Sequence, residues 1–218
     1  MPCRAVLFDL DGTLLDTIAD LSDAMNLALI GNGLPPRPEV EQHKYFVGDG
    51  VANYVLRAMP ADRTADARLV SAVTADYRAA YAKGWHRKTR PYGGVIELLD
   101  ELARRGVRLA VLSNKPQDTT TATVEAFFGP GRFEIVQGAR DGVSLKPDPA
   151  AALDIARRMG VPPEQLLYLG DTATDMRTAA GAGMKAVGCL WGFRTRAELV
   201  GSGAAAVIEH PADLLRFL

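Results

Sequence analysis

Six short apolar runs recur along the chain: Ala5-Val6-Leu7-Phe8, Val107 to Leu112, Phe133 to Val136, Leu166 to Leu169, Lys185 to Val187 and Ala205 to Ile208. Each is continuous rather than alternating, the pattern of parallel strands covered on both faces. Polar or glycine-containing turns and helical patterns follow them. Val95, Ile96, Leu98, Leu99 and Leu102 fall on one helical face, as do the apolar positions from Ala151 to Met159. Gly106 and Gly160 stand where helix C-caps belong. This alternation predicts an α/β fold, a doubly wound (Rossmann-like) parallel sheet.

One segment breaks the rhythm. From Asp16 to Arg90 no convincing strand occurs, whereas Ile18, Leu21, Met25 and Leu29, and then Leu69, Val73, Tyr77 and Tyr81, step at helical spacing. The reading is a small helical domain, residues 16–90, inserted into an α/β core made of residues 1–15 and 91–218. At 218 residues the chain has room for one such domain with a smaller insertion. Lys plus Arg total 25 and Asp plus Glu 26, so no basic field exists to hold nucleic acid or an anionic membrane. Cys3 and Cys189 are far apart and form no metal-like spacing, which points to reduced thiols. The start, Met1-Pro2-Cys3-Arg4-Ala5, lacks the pattern of a secretion signal, and no apolar stretch reaches spanning length. A cytoplasmic protein without a membrane partner is expected.

The chemistry concentrates where apolar runs end. Phe8-Asp9-Leu10-Asp11-Gly12-Thr13 closes the first run with two carboxylates two positions apart. In an extended strand such residues share a side, so both can face one site, and Gly12 permits a tight turn. Leu169-Gly170-Asp171-Thr172-Ala173-Thr174-Asp175 repeats the logic. If Asp9, Asp11 and Asp171 converge, anions about 4 Å apart repel by about 4 kcal/mol per pair at an effective dielectric of 20. A shared proton or a cation must relieve that, and an all-oxygen donor set favours a hard ion such as Mg²⁺. Ser113-Asn114-Lys115 ends another run with groups able to hold phosphate oxygens. Lys146-Pro147-Asp148-Pro149 places a cation ahead of a helix, with Asp148 as the expected N-cap and Pro149 in the first turn.

In order along the chain, Asp9-Leu10-Asp11-Gly12-Thr13, Ser113-Asn114-Lys115, Lys146-Pro147 and Gly170-Asp171-Thr172-Ala173-Thr174-Asp175 match the four motifs of the haloacid dehalogenase-like hydrolase superfamily. Within it the chain most resembles phosphoglycolate phosphatases, and the helical insertion resembles that superfamily's small cap. The resemblance implies a phosphomonoester hydrolase. Asp9 would be the nucleophile, Asp11 the general acid and base, and Lys146 a catalytic cation. Mg²⁺ would be held by Asp9, the Asp11 backbone carbonyl, Asp171 and Asp175, while Thr13, Ser113 and Asn114 would bind substrate phosphate. Asp11 argues against carbon–halogen cleavage, whose relatives lack an acid there. Asp16 to Leu21 lacks the cap histidine of related mutases.

Val47-Gly48-Asp49-Gly50-Val51 resembles the cap loop that approaches substrate, which makes Gly48 and Gly50 substrate-binding candidates. Asp49 sits awkwardly there, since it would repel a carboxylated substrate; Lys44, Arg57 or the run His86-Arg87-Lys88 could offset it. A small phosphate ester is the expected partner, with 2-phosphoglycolate first and sugar phosphates, nucleotides and pyrophosphate behind. A receiver-like phospho-acceptor switch and a silent binding module are the competing classes. The insertion, the paired aspartates and the complete set of key side chains speak against both.

Overall fold

The computed structural model describes residues 3–218; Met1 and Pro2, where the reading of the chain start begins, lie outside the described residues. Two compact units emerge, one of Met1–Leu15 with Pro91–Leu218 and one of Asp16–Arg90. In chain order the strands are β1 (Ala5–Phe8), β2 (Leu15–Asp16), β3 (Arg90–Pro91), β4 (Arg108–Pro116), β5 (Ile135–Ala139), β6 (Leu166–Gly170), β7 (Lys185–Cys189) and β8 (Ala206–Ile208). The first unit is built on a six-stranded sheet of order β5-β4-β1-β6-β7-β8, every pair parallel. Chain order runs outward from β1 in both directions. The carboxyl end of β1 is therefore the switch point where α/β sheets place their ligands.

The apolar runs are continuous because both faces of this sheet are buried. Val6, Phe8, Leu109, Val111, Leu167 and Leu169 join one core cluster, while Ala5, Leu7, Ala110, Leu112, Leu166 and Tyr168 join the other. Alternate residues of one strand thus feed opposite layers. Helices α5 (Val95–Arg104), α6 (Gln117–Phe128), α7 (Ala150–Met159), α8 (Ala173–Gly181) and α9 (Arg196–Gly201) complete this unit. Of these, α7 begins one residue later than the sequence suggests. Pro149 is its N-cap, and Asp148 reaches past it to accept from the Ala150 N–H at 2.8 Å. With no N–H of its own, Pro149 leaves Ala150 as the first donor needing a partner.

The second unit holds α1 (Ile18–Gly31), α2 (Val40–Phe46), α3 (Val51–Ala58) and α4 (Ala67–Gly84). Leu21, Met25 and Leu29 of α1 and Val73, Tyr77 and Tyr81 of α4 are buried, as their spacing predicts. Asp66 caps α4 by accepting from the Arg68 and Leu69 N–H groups. His43 is buried, with Nδ1 2.7 Å from the Tyr54 hydroxyl and Nε2 2.8 Å from the Arg37 carbonyl. Both cysteines are free thiols. Among the described residues no helix is long and apolar enough to cross a membrane.

Candidate active site

β1 ends at Phe8, and the next residues turn rather than extend. The N–H groups of Thr13, Leu14 and Leu15 all point at the Leu10 carbonyl, and Gly12 takes φ 89° within that turn. Strand alternation therefore no longer governs where Asp11 points. Asp9, still tied to the neighbouring strand through its N–H to the Leu169 carbonyl (3.0 Å), faces the switch point. Asp9, Asp171 and Asp175 bring one carboxylate oxygen each within 4.8 Å of the others, and all three are buried. Asp175 comes from the first turn of α8, and the Asp11 carboxylate is not part of this trio.

Lys146 is the counter-charge. Its Nζ donates to Asp175 Oδ1 at 2.7 Å and to the Leu112 carbonyl at 3.2 Å, and lies 2.8 Å from Asp9 Oδ1. Three acceptors match the three protons of an ammonium. Asn114 holds this lysine by its backbone, accepting from the Lys146 N–H at 2.9 Å and donating to its carbonyl at 3.0 Å. The Asn114 carboxamide is thus directed to positioning Lys146.

Each acidic group is anchored differently. Thr13 donates from Oγ1 to Asp171 Oδ1 at 3.0 Å, and the Phe193 N–H donates to Asp171 Oδ2 at 2.8 Å. Thr13 is wholly buried, and its hydroxyl serves Asp171. Asp175 accepts from four donors: Lys146 Nζ and the Tyr168 hydroxyl on Oδ1, and the Thr172 N–H and hydroxyl on Oδ2. The last two belong to the capping box that starts α8. Gly192 allows the loop after β7 to close on the site, because a Cβ there would collide with Asp171 and the Gly12 carbonyl.

One ammonium does not balance three buried carboxylates. Burial, reinforced by the Asp175 charge, pushes the Asp9 carboxyl up to about 7, even though Lys146 pulls it back. Burial, then Asp175 and Asp9, raise Asp171 well above the ordinary carboxylate range. Burial would lower Lys146, but Asp175 and Asp9 hold it well above the usual lysine value. Such a pocket has the donor chemistry of a hard-cation site. Asp9 Oδ2 and the remaining lone pairs of Asp171, which accepts one hydrogen bond on each oxygen, keep acceptor capacity for it, whereas Asp175 already accepts two on each.

Asp11 turns to Lys115, whose Nζ donates to Oδ1 at 2.6 Å and Oδ2 at 2.9 Å. Ser113 is buried and its Oγ accepts from the Lys115 N–H at 3.2 Å. Sequence reasoning assigned no role to Lys115, Tyr168, Thr172 or Phe193. Phe193 follows β7 at the carboxyl end of the sheet, and that position was the available signal. Gly48 and Gly50 lie in the helical unit, at φ 118° and 87°, and Gly50 is the N-cap of α3. Asp49 beside them is paired with Arg57, while Lys44 pairs with Glu41 at 2.9 Å. Lys88 is an exposed partner of Asp23.

Residues 6–189 match the family described as haloacid dehalogenase-like hydrolase. A phosphoglycolate phosphatase of Rhodospirillum rubrum is 35% identical over 97% of this chain and 89% of its own length. Phosphoglycolate phosphatase 1 of Pseudomonas aeruginosa is 32% identical over 97% of this chain and 78% of its own length. A crystal structure of a predicted phosphoglycolate phosphatase from Haemophilus somnus superposes with a TM-score of 0.91 at 26% identity, covering 98% of this chain and 97% of the other. The chain belongs to the haloacid dehalogenase-like hydrolases and is one of their phosphatases.

Proposed function

We propose that this phosphatase is a Mg²⁺-dependent phosphomonoester hydrolase that works through an aspartyl-phosphate on Asp9, with 2-phosphoglycolate as its first substrate. The observation that carries the reading is the buried meeting of Asp9 and Asp171 with Lys146, an acid cluster with a single lysine counter-charge. Lys146 engages Asp9 Oδ1 and leaves Oδ2 to attack phosphorus. As that O–P bond forms, the bond to the leaving oxygen breaks, and Asp11 gives it a proton. Asp11 then takes a proton from water, whose oxygen bonds to phosphorus and releases phosphate and the Asp9 carboxylate. The Ser113 hydroxyl supports the transferring phosphoryl group.

Asp9, Asp171 and the Asp11 backbone carbonyl would hold Mg²⁺, with Asp175 beside them orienting Lys146. When bound, the ion offsets the negative charge of carboxylates and phosphoryl group. We assign a share of substrate choice to the 47–51 loop of the helical unit, where Gly48 and Gly50 supply backbone freedom. Arg57 neutralises Asp49 there, which removes the objection to a carboxylated ester. Substrate identity rests on relatives named phosphoglycolate phosphatase.

The test is phosphate release from a panel of 2-phosphoglycolate, sugar phosphates, nucleotides and pyrophosphate, with Mg²⁺ or a chelator. Multiple turnover that chelation abolishes, fastest on 2-phosphoglycolate, is expected. Stoichiometric labelling without turnover would favour a phospho-acceptor switch, and faster release from another ester would move the substrate assignment.

A further inference from the structure

Lys115 lies outside the acid cluster, yet its side chain is only 4% exposed and reaches the Asp11 carboxylate across 104 positions of sequence. A buried ammonium requires a counter-charge. Among the described residues, Lys115 is also the one group hydrogen-bonded to the Asp11 carboxylate.

The position is constructed. The register of β4 against β5 shifts between Leu112 and Pro116, and such an irregularity re-aims side chains at the end of a strand. The displaced backbone is pinned. The Lys115 N–H donates to Ser113 Oγ at 3.2 Å, and its carbonyl accepts from Thr120 Oγ1 at 3.0 Å. A Cβ at Gly138 would come within 2.7 Å of that carbonyl, so only glycine lets β5 approach so closely. By contrast Asp11 sits in the turn after β1, where strand pairing no longer directs its side chain.

We propose that Lys115 is a positioning residue for the general acid–base step, setting where the Asp11 carboxyl meets the leaving oxygen. This rests on the role given to Asp11 above. In that step the phosphorus–oxygen bond breaks as one proton moves from Asp11 to the leaving oxygen. Lys115 keeps its protons throughout and acts only through the place it gives Asp11. A poor leaving group needs that proton, and a good one departs as the anion without it. Loss of Lys115 therefore penalises esters according to their leaving group, which a purely structural ion pair or a phosphate-binding lysine would not do.

The experiment compares p-nitrophenyl phosphate, phenyl phosphate and ethyl phosphate as probes for the native enzyme, Lys115→Met, Lys115→Gln, Asp11→Asn and the Asp11→Asn/Lys115→Met double variant. The kcat/KM ratio between esters is taken within each preparation, so a reduced folded fraction cancels. We expect both Lys115 variants to lose at least about tenfold more on ethyl and phenyl phosphate than on p-nitrophenyl phosphate. In the Asp11→Asn background the second substitution should leave the ratio unchanged. Equal losses on all three esters, or a further change in the double variant, would overturn the proposal. If Asp11→Asn skews the ratio and the Lys115 variants do not, the inference fails while the role of Asp11 stands. If Asp11→Asn itself leaves the ratio untouched, the underlying reading fails.

Discussion

Asp9 in the α/β unit and Asp20 in the helical unit are both buried carboxylates, 7% and 3% exposed, in opposite surroundings. Asp20 accepts from the Lys88 N–H, the Thr89 N–H and the Thr89 hydroxyl, four contacts of 2.8–3.1 Å that tie the start of α1 to the end of the same unit. Asp9 has one lysine to share with Asp175, and two carboxylates crowd it. A buried charge surrounded by donors holds structure together. One surrounded by like charges is a place built for a cation and a reacting anion.

Exchanging charge for shape separates the two. Asp9→Asn should lower turnover by more than about 10³-fold while leaving the melting temperature of the metal-free protein equal or higher. Retained turnover would erase the distinction. Lys146→Ala should cost about 10²–10³-fold in kcat, since it removes the cation beside Asp9. Asp20→Ala should instead unfold the helical unit first. Three stranded donors predict a loss of about 3 kcal/mol, read as faster amide exchange confined to residues 16–90. Uniform loss of protection in both units would contradict it.

The two units should also respond to pH with opposite signs. With chelator present, Asp9 has a folded value near 7, above its ordinary 3.8. A raised carboxyl is a stabilising, protonated group at low pH, and that contribution is lost as pH rises from about 4 through 7. Asp9→Asn should flatten this slope in calorimetry, and Mg²⁺ should offset it. His43 is held below its ordinary 6.5, with burial as the leading cause. The unfolded state then binds the proton more readily, so the helical unit should lose stability as pH falls below about 6.5. This is the smallest effect, to be read from amide exchange in 16–90 at pH 5 and pH 7.5.

Much of this was legible in sequence, for identifiable reasons. The six apolar runs mark strands because a two-sided sheet needs every residue apolar. Asp9 and Asp171 are legible because polar residues that end such runs fall at the carboxyl edge. Asp11 lies past Phe8, where the strand stops, so alternation alone does not set the direction of its side chain. The pairing of Asp11 with Lys115 depends on an irregularity in β4 that no local pattern announces. The side chains of Thr13 and Asn114 are each engaged by a neighbour brought near only by folding, Asp171 and Lys146, which no local pattern shows. The short helices α2 and α3 and the two-residue strands β2 and β3 carry too few residues for a period to show.

The central claim is that Asp9 bonds to phosphorus. Acid-quenching the enzyme during turnover, reducing any acyl phosphate with borohydride and mapping the peptides by mass spectrometry tests it directly. Homoserine at position 9, formed only with substrate and Mg²⁺ present, is the predicted result. Modification at another carboxylate, or undiminished turnover with none anywhere, would contradict the account.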